Sequence, residues 1–269
     1  ATVPRPAWSL TATGASLQEA GGATTAWLDL AHPEAGLSVV PPGSGPQPGP
    51  RAAPHDDEPA HDRHDDRLLG LDLRGTARLV DHWIRGSDLT AIYEPGDGRS
   101  LRATALWRAL GGELDMPTGI RAWEVIVSAQ TALLHADAGL AVACDLRATQ
   151  VAWGTLGAHA PAGRVAWSAI ASERWAPHAR AVLVRRGRAA AAAATSVVVA
   201  VHADDGLGIS VRPAGERSRV ECRLFGDALE KGVLLRSRVL AAVGPAADDT
   251  AWADRLVRGY VALPPMLDT

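Results

Sequence analysis

Three stretches of this chain repeat one pattern, His-[Pro/Ala]-[Asp/Glu]-[Ala/Asp]-Gly-Leu-x-[Val/Ile], at residues 32–39, 135–142 and 202–209, each after an apolar run. A chain that alternates, turns on a polar tetrad closed by glycine, and alternates again has few folds open to it. Period-two alternation buries one face of a strand, and glycine accepts the positive φ that closes a tight turn. The repeat therefore predicts three β-hairpins with Gly36, Gly139 and Gly206 in left-handed turn positions.

The same alternation recurs outside the repeat. Trp8, Leu10 and Ala12 are separated by Ser9 and Thr11, and Trp123, Val125, Val127 and Ala129 are separated by Glu124, Ile126 and Ser128. A fourth hairpin is expected around Glu94-Pro95-Gly96-Asp97-Gly98, and a dozen or more strands in all. Nothing resembles the strand–helix–strand rhythm of a parallel sheet. The C-terminus is different: Trp252, Leu256 and Tyr260 fall on one helical face over residues 248–260, acids open the segment, and Pro264-Pro265 stops it.

The expected fold is all-β, or β-rich α+β: an antiparallel two-sheet sandwich built from hairpins, with one C-terminal amphipathic helix. Residues 1–269 read as one large domain carrying a long polar loop at 41–67, with the alanine run 189–194 as a linker. The alternative divides the chain into a sandwich over 1–175 and a smaller α+β unit over 176–269.

Net charge is -3 with 21% charged residues, so no overall field draws the chain to nucleic acid or to an anionic membrane. No apolar run approaches the ~20 residues a membrane-spanning helix needs. A soluble protein is expected, cytoplasmic in preference to exported; a chain opening on Ala1 fits either methionine removal or a cleaved leader. Cys144 and Cys222 sit in alternating runs and read as small buried hydrophobes, not as a disulfide or zinc framework. The single lysine, Lys231, reads as a product of compositional bias. Oligomeric state is not specified by any of these features.

The candidate chemistry is dispersed. Loop 41–67 holds three histidines and six acids, and His55, His61, His64 and Asp65 are candidate ligands for a divalent metal, the one cofactor considered. His32, His135 and His202 would supply three imidazoles if their turns converged. Trp153, Trp167 and Trp175 are candidate ligand-binding residues, since exposed tryptophan on a sandwich stacks on pyranose rings, although core packing is its commoner fate. Glu124, Asp145 and Glu221 are strand-borne acids of the kind a glycosidase pairs. Arg236 and Arg238 are expected to meet Arg219, Glu221 and Arg223 in a cross-strand charge ladder. No Gly-x-Ser-x-Gly elbow and no phosphate-binding loop occurs.

These features favour a non-catalytic binding or assembly protein with a carbohydrate or a protein as ligand. The alternatives are a carbohydrate-active enzyme using strand carboxylates and a metal-binding module working through the loop. The sequence decides neither for nor against catalysis.

Overall fold

The computed structural model describes residues 6–18, 24–39, 66–111, 114, 116–156, 163–187, 194–202, 206–226 and 228–264. The candidate metal ligands His55, His61, His64 and Asp65 lie outside the described residues, as do most of the loop and most of the alanine run.

In chain order the strands are β1 (Ala7–Leu10), β2 (Gly14–Gln18), β3 (Thr24–Asp29), β4 (Leu37–Val39), β5 (Arg67–Asp72), β6 (Ala77–Arg85), β7 (Asp88–Pro95), β8 (Leu101–Leu110), β9 (Arg121–Thr131) and β10 (His135–Ala136). They continue as β11 (Ala141–Arg147), β12 (Gln150–Thr155), β13 (Ala166–Ala169), β14 (Arg174–Ala176), β15 (Ala179–Arg186), β16 (Thr195–Val201), β17 (Gly208–Ala214), β18 (Arg217–Arg223), β19 (Leu229–Glu230) and β20 (Leu235–Pro245), before helix α1 (Asp249–Val261).

Among the described residues these strands form two antiparallel nine-stranded sheets. The first runs β1-β2-β3-β4-β5-β11-β18-β17-β14 and the second β13-β12-β15-β16-β20-β9-β8-β7-β6, while β10 pairs with β19 alone. The fold is an all-β two-sheet sandwich with a C-terminal helix. Each sheet takes strands from both sides of residue 175. No helix among the described residues is long and apolar enough to cross a membrane.

Alternation explains the core. Leu28, Leu37, Leu71, Val142, Cys144 and Val220 of the first sheet meet Tyr93, Trp107, Val125, Val127, Val199 and Val239 of the second, all fully buried. Trp107 packs edge-on to Tyr93 at 6.5 Å between centroids, and its indole N–H donates to the Leu69 carbonyl at 3.1 Å. Leu69 sits at φ 56 where Leu68 and Leu69 of β5 oppose the single Cys144 of β11, a β-bulge. The Leu69 N–H donates to the Cys144 sulfur at 3.3 Å, which partners the amide the bulge takes out of the ladder.

β5 begins at Arg67, inside the segment read from sequence as loop, and Asp66 is already buried. The Asp66 carboxylate accepts the Arg147 backbone N–H at 2.7 Å and pairs with Arg186. A local reading sees only an acid and an arginine there; the partners are 81 and 120 residues away.

The repeat has one meaning at one site and another at two. Residues 32–39 do connect a hairpin, β3 to β4, through a short 3-10 turn, and Gly36 has φ 69. By contrast residues 135–142 carry the chain from β9 in the second sheet to β11 in the first, and residues 202–209 carry it from β16 to β17 in the same sense. Gly139 and Gly206 are not at positive φ. A Cβ on Gly139 would collide with the Arg74 guanidinium and one on Gly206 with the Val201 side chain, so these glycines provide room. Alternation, turn and alternation record that one face is buried on each side of the turn. They are silent on whether the second strand lies beside the first or across the core from it.

The hairpin at residues 94–98 forms as expected, joining β7 to β8 with Gly98 at φ 80. Helix α1 also forms where its stripe predicts. Trp252, Leu256 and Tyr260 bury against Leu183, Val198, Ala200, Leu240 and Ala242 on the outer face of the second sheet. Its first turn is tied down by Asp249, whose carboxylate takes bonds from the Arg185 guanidinium at 2.6 and 2.8 Å and from Ser196 Oγ at 2.8 Å.

Burial alone would raise the Asp249 pKa; the bonds from Arg185 and Ser196 outweigh it and hold the carboxyl below its ordinary range. A depressed folded-state pKa gives stability that is complete above the unfolded value of about 3.9 and lost as pH falls through the folded one. Asp249→Asn is therefore expected to melt below the parent at neutral pH, with the gap closing under acid. A pH series of thermal melts checks this, and a gap that stays constant down to the acid limit would refute it.

Candidate binding face

The outward side chains of β14, β17, β18, β11 and β5 build a polar face on the first sheet. Trp175 and Ser210 are cross-strand partners, as are Ser210 and Glu221, Arg212 and Arg219, and Gly208 and Arg223. Arg212 bonds Glu173 at 2.9 Å, Arg223 bonds Glu221 at 3.3 Å, and Arg219 reaches both Asp72 at 2.8 Å and Asp145 at 2.9 Å. Arg212, Arg219 and Arg223 are each matched by a carboxylate, while Arg217 on the same side of β18 donates to the Asp145 backbone carbonyl at 3.0 Å, so the surface beside Trp175 is polar with its charges paired.

At one end of this ladder Trp175 stands 42% exposed. Its ring lies over Gly208, where an added Cβ would approach the indole to 2.8 Å, and the Arg223 guanidinium sits 4.9 Å from the ring centroid. Gly208 has φ 147, a conformation L side chains rarely adopt, so both backbone and ring require glycine there. The result is a partly exposed indole held against Gly208 with the Arg223 guanidinium over its ring, and with the donors and acceptors of Ser210, Arg212 and Glu221 on the strands beside it. Such a surface can stack on an apolar ring face and hydrogen-bond its rim.

The other two candidate tryptophans point elsewhere. Trp153 on β12 packs against the core between the sheets and is capped by Arg174 at 5.6 Å from its centroid. Trp167 on β13 lies opposite Gly154, one residue on from Trp153, and so faces the other side of the sheet, packing into the cluster beneath α1. The three indoles share no surface, because neighbouring strand residues project to opposite faces.

The remaining candidates are likewise separated. Glu124 is 1% exposed on the second sheet, with one carboxylate oxygen held by Arg108 at 2.7 and 2.9 Å, whereas Asp145 and Glu221 lie on the outer face of the first. Arg236 and Arg238 belong to β20 in the second sheet and never meet Arg219, Glu221 and Arg223 of β18; consecutive long strands here sit in different sheets. Arg238 instead donates to the Leu263 and Pro264 carbonyls at 3.2 and 2.7 Å. His32 is exposed beside Asp29, His135 lies on the small β10–β19 ribbon, and His202 is buried against the Leu263 carbonyl at 3.0 Å. Among the described residues no three metal-ligating side chains gather. Cys144 and Cys222 are free and buried; burial pushes the Cys144 thiol up to about 12 and raises that of Cys222 well above its ordinary value, so both stay protonated.

Sequence reasoning missed Glu173, Gly208 and Arg212 as neighbours of Trp175. Arg212 and Ser210 alternate with Val211 and Ile209, which places them on a polar face, but no local pattern names β14 as the strand beside them.

The sequence matches no family model and no curated protein. Solved structures do align with the fold. The GH36 alpha-galactosidase AgaA from Geobacillus stearothermophilus aligns at 10% identity and TM-score 0.47, over 90% of this chain and 41% of that one. AgaB from the same organism, also described as a GH36 alpha-galactosidase, aligns at 10% identity and TM-score 0.44, over 89% and 41%. The chain spans about two fifths of the length of these structures.

Proposed function

We propose that the chain is a non-catalytic, single-domain β-sandwich module that holds a neutral carbohydrate on the outer face of its first sheet, with Trp175 as the stacking platform. The observation that carries this reading is the 42% exposed indole beside guanidinium groups that carboxylates already hold, Arg212 by Glu173 and Arg223 by Glu221. A pyranose presents an apolar ring face to the indole and hydroxyls to Ser210, Arg212 and Glu221. A charged sugar would have to displace an existing ion pair, and that argues for a neutral one.

The test is retention by soluble neutral polysaccharides in affinity electrophoresis, followed by calorimetry. Trp175→Ala is expected to lower affinity about tenfold or more, the equivalent of roughly 1.4 kcal/mol, with Trp175→Tyr in between. Trp153→Ala, with its ring turned into the core, should leave affinity per folded molecule unchanged. Trp175→Ala binding as tightly as the parent would refute the proposal.

A protein ligand is the second reading. It is favoured by Leu133, Leu134, Val233 and Leu234, which are 47%, 76%, 42% and 39% exposed. Pairing of β10 with β19 brings their two connections to the same end of the sandwich. Aliphatic clusters of this kind mark contact surfaces more often than isolated exposed leucines do.

A further inference from the structure

A separate cleft of about 550 Å³ opens on the second sheet where the β7–β8 turn meets the end of β9, lined by Glu94, Arg99, Ser100, Arg102, Gln130 and Thr131. Two of these residues build the walls. Arg99 donates to Asp97 at 2.6 Å, to the Gly139 carbonyl at 3.0 Å and to the Leu73 carbonyl. Thr131 Oγ1 donates to the Ser100 carbonyl at 2.6 Å and accepts the Leu133 N–H at 3.1 Å. With those groups engaged, the turn and the strand end are pinned together and the cleft is preformed.

Among the other polar side chains lining the cleft are Glu94, Arg102 and Gln130, and Glu94 keeps lone pairs for a ligand beyond those its two oxygens give to Arg78 and Arg102. Arg102 and Gln130 are direct cross-strand partners. The Arg102 guanidinium, 46% exposed, reaches Glu94 only at 3.5 Å, and Glu94 also pairs with Arg78. A carboxylate, a guanidinium and a carboxamide side by side supply acceptors, donors and both. Glu94 opposes an anion and Arg102 opposes a cation, whereas a neutral molecule with two adjacent hydroxyls can donate to the carboxylate while accepting from Arg102 and Gln130. The volume falls within the range of about 300–1,000 Å³ usual for small-molecule sites.

We infer that this cleft is a second binding site, for a neutral vicinal diol of monosaccharide size, distinct from the Trp175 face and independent of it. Titration of the full chain with glucose, mannose and galactose, read by calorimetry and by ligand-observed NMR, tests it. At least one of these sugars is expected to bind with a Kd on the order of 10 mM or tighter. Arg102→Ala and Gln130→Ala should each weaken that binding about tenfold, and Arg102→Lys, which keeps the charge but loses the planar fork, should also weaken it. Both side chains lie at the surface, so melting curves within a few degrees of the parent are expected for these variants and confirm that they fold.

Trp153→Ala, outside both sites, should leave monosaccharide affinity unchanged, and Arg102→Ala should leave polysaccharide retention through Trp175 unchanged. No binding of any of the three sugars, or binding that Arg102→Ala and Gln130→Ala leave intact, overturns the cleft. Monosaccharide binding that is lost in Trp175→Ala and kept in both Arg102→Ala and Gln130→Ala belongs to the indole; that outcome overturns the cleft while leaving the Trp175 proposal standing.

Discussion

Trp252→Ala is expected to destabilise the protein by about 3–5 kcal/mol, the range seen when a large buried aromatic is truncated. The indole is 3% exposed and wedged between α1 and the sheet, against Gly244 and Ile120, with its N–H donating to the Pro245 carbonyl at 2.9 Å. The surface beneath is lined by Ala122, Ala181, Ala200 and Ala242, whose short side chains cannot spread into the vacated space. Losing the ring also removes the donor to the Pro245 carbonyl. Denaturation in urea measures the effect. A loss below 1 kcal/mol would mean that the helix is held by Leu256, Tyr260 and Asp249 without it.

Trp107→Ala is expected to cost as much, about 3–5 kcal/mol, for a different reason. Its ring is fully buried between the two sheets, edge-on to Tyr93, and its N–H holds the carbonyl of Leu69, the bulge residue at φ 56. The loss is therefore felt in both sheets at once. Trp107→Phe keeps an aromatic ring between the sheets but deletes the hydrogen bond and part of the indole's volume, and should cost about 1–3 kcal/mol, chiefly from the carbonyl left unpartnered. Equilibrium unfolding of the two variants separates the contributions. If Phe and Ala are equally destabilising, the Leu69 bond dominates; if Phe matches the parent, the ring does.

The candidate site was legible only in part. Trp175 could be singled out as an indole in a β-rich chain, but the same argument applied equally to Trp153 and Trp167, and exposure separates them. Exposure depends on where a strand ends up: β14 is three residues long at the edge of the first sheet, while β12 is flanked on both sides and β13 lies under the helix cluster. The cleft at Glu94, Arg102 and Gln130 had no sequence signal, since it exists only because β7, β8 and β9 lie side by side at one end.

Sequence alone was enough for the elements whose signal is local. β9 and the hairpin at residues 94–98 form where local alternation and turn residues predict, although both faces of β9 are buried over residues 122–127, Glu124 and Ile126 included. The stripe of Trp252, Leu256 and Tyr260 follows from the 3.6-residue turn, and its burial is what makes a thirteen-residue helix persist. Partnership between strands came only with the assembled sandwich. Arg219 bonds Asp72 across 147 residues, and two of the three repeats cross between sheets where the first turns back within one. A strand's periodicity says which face is covered but not by what. The covering surface is chosen by the packing of every other strand at once, and no window of sequence contains that choice.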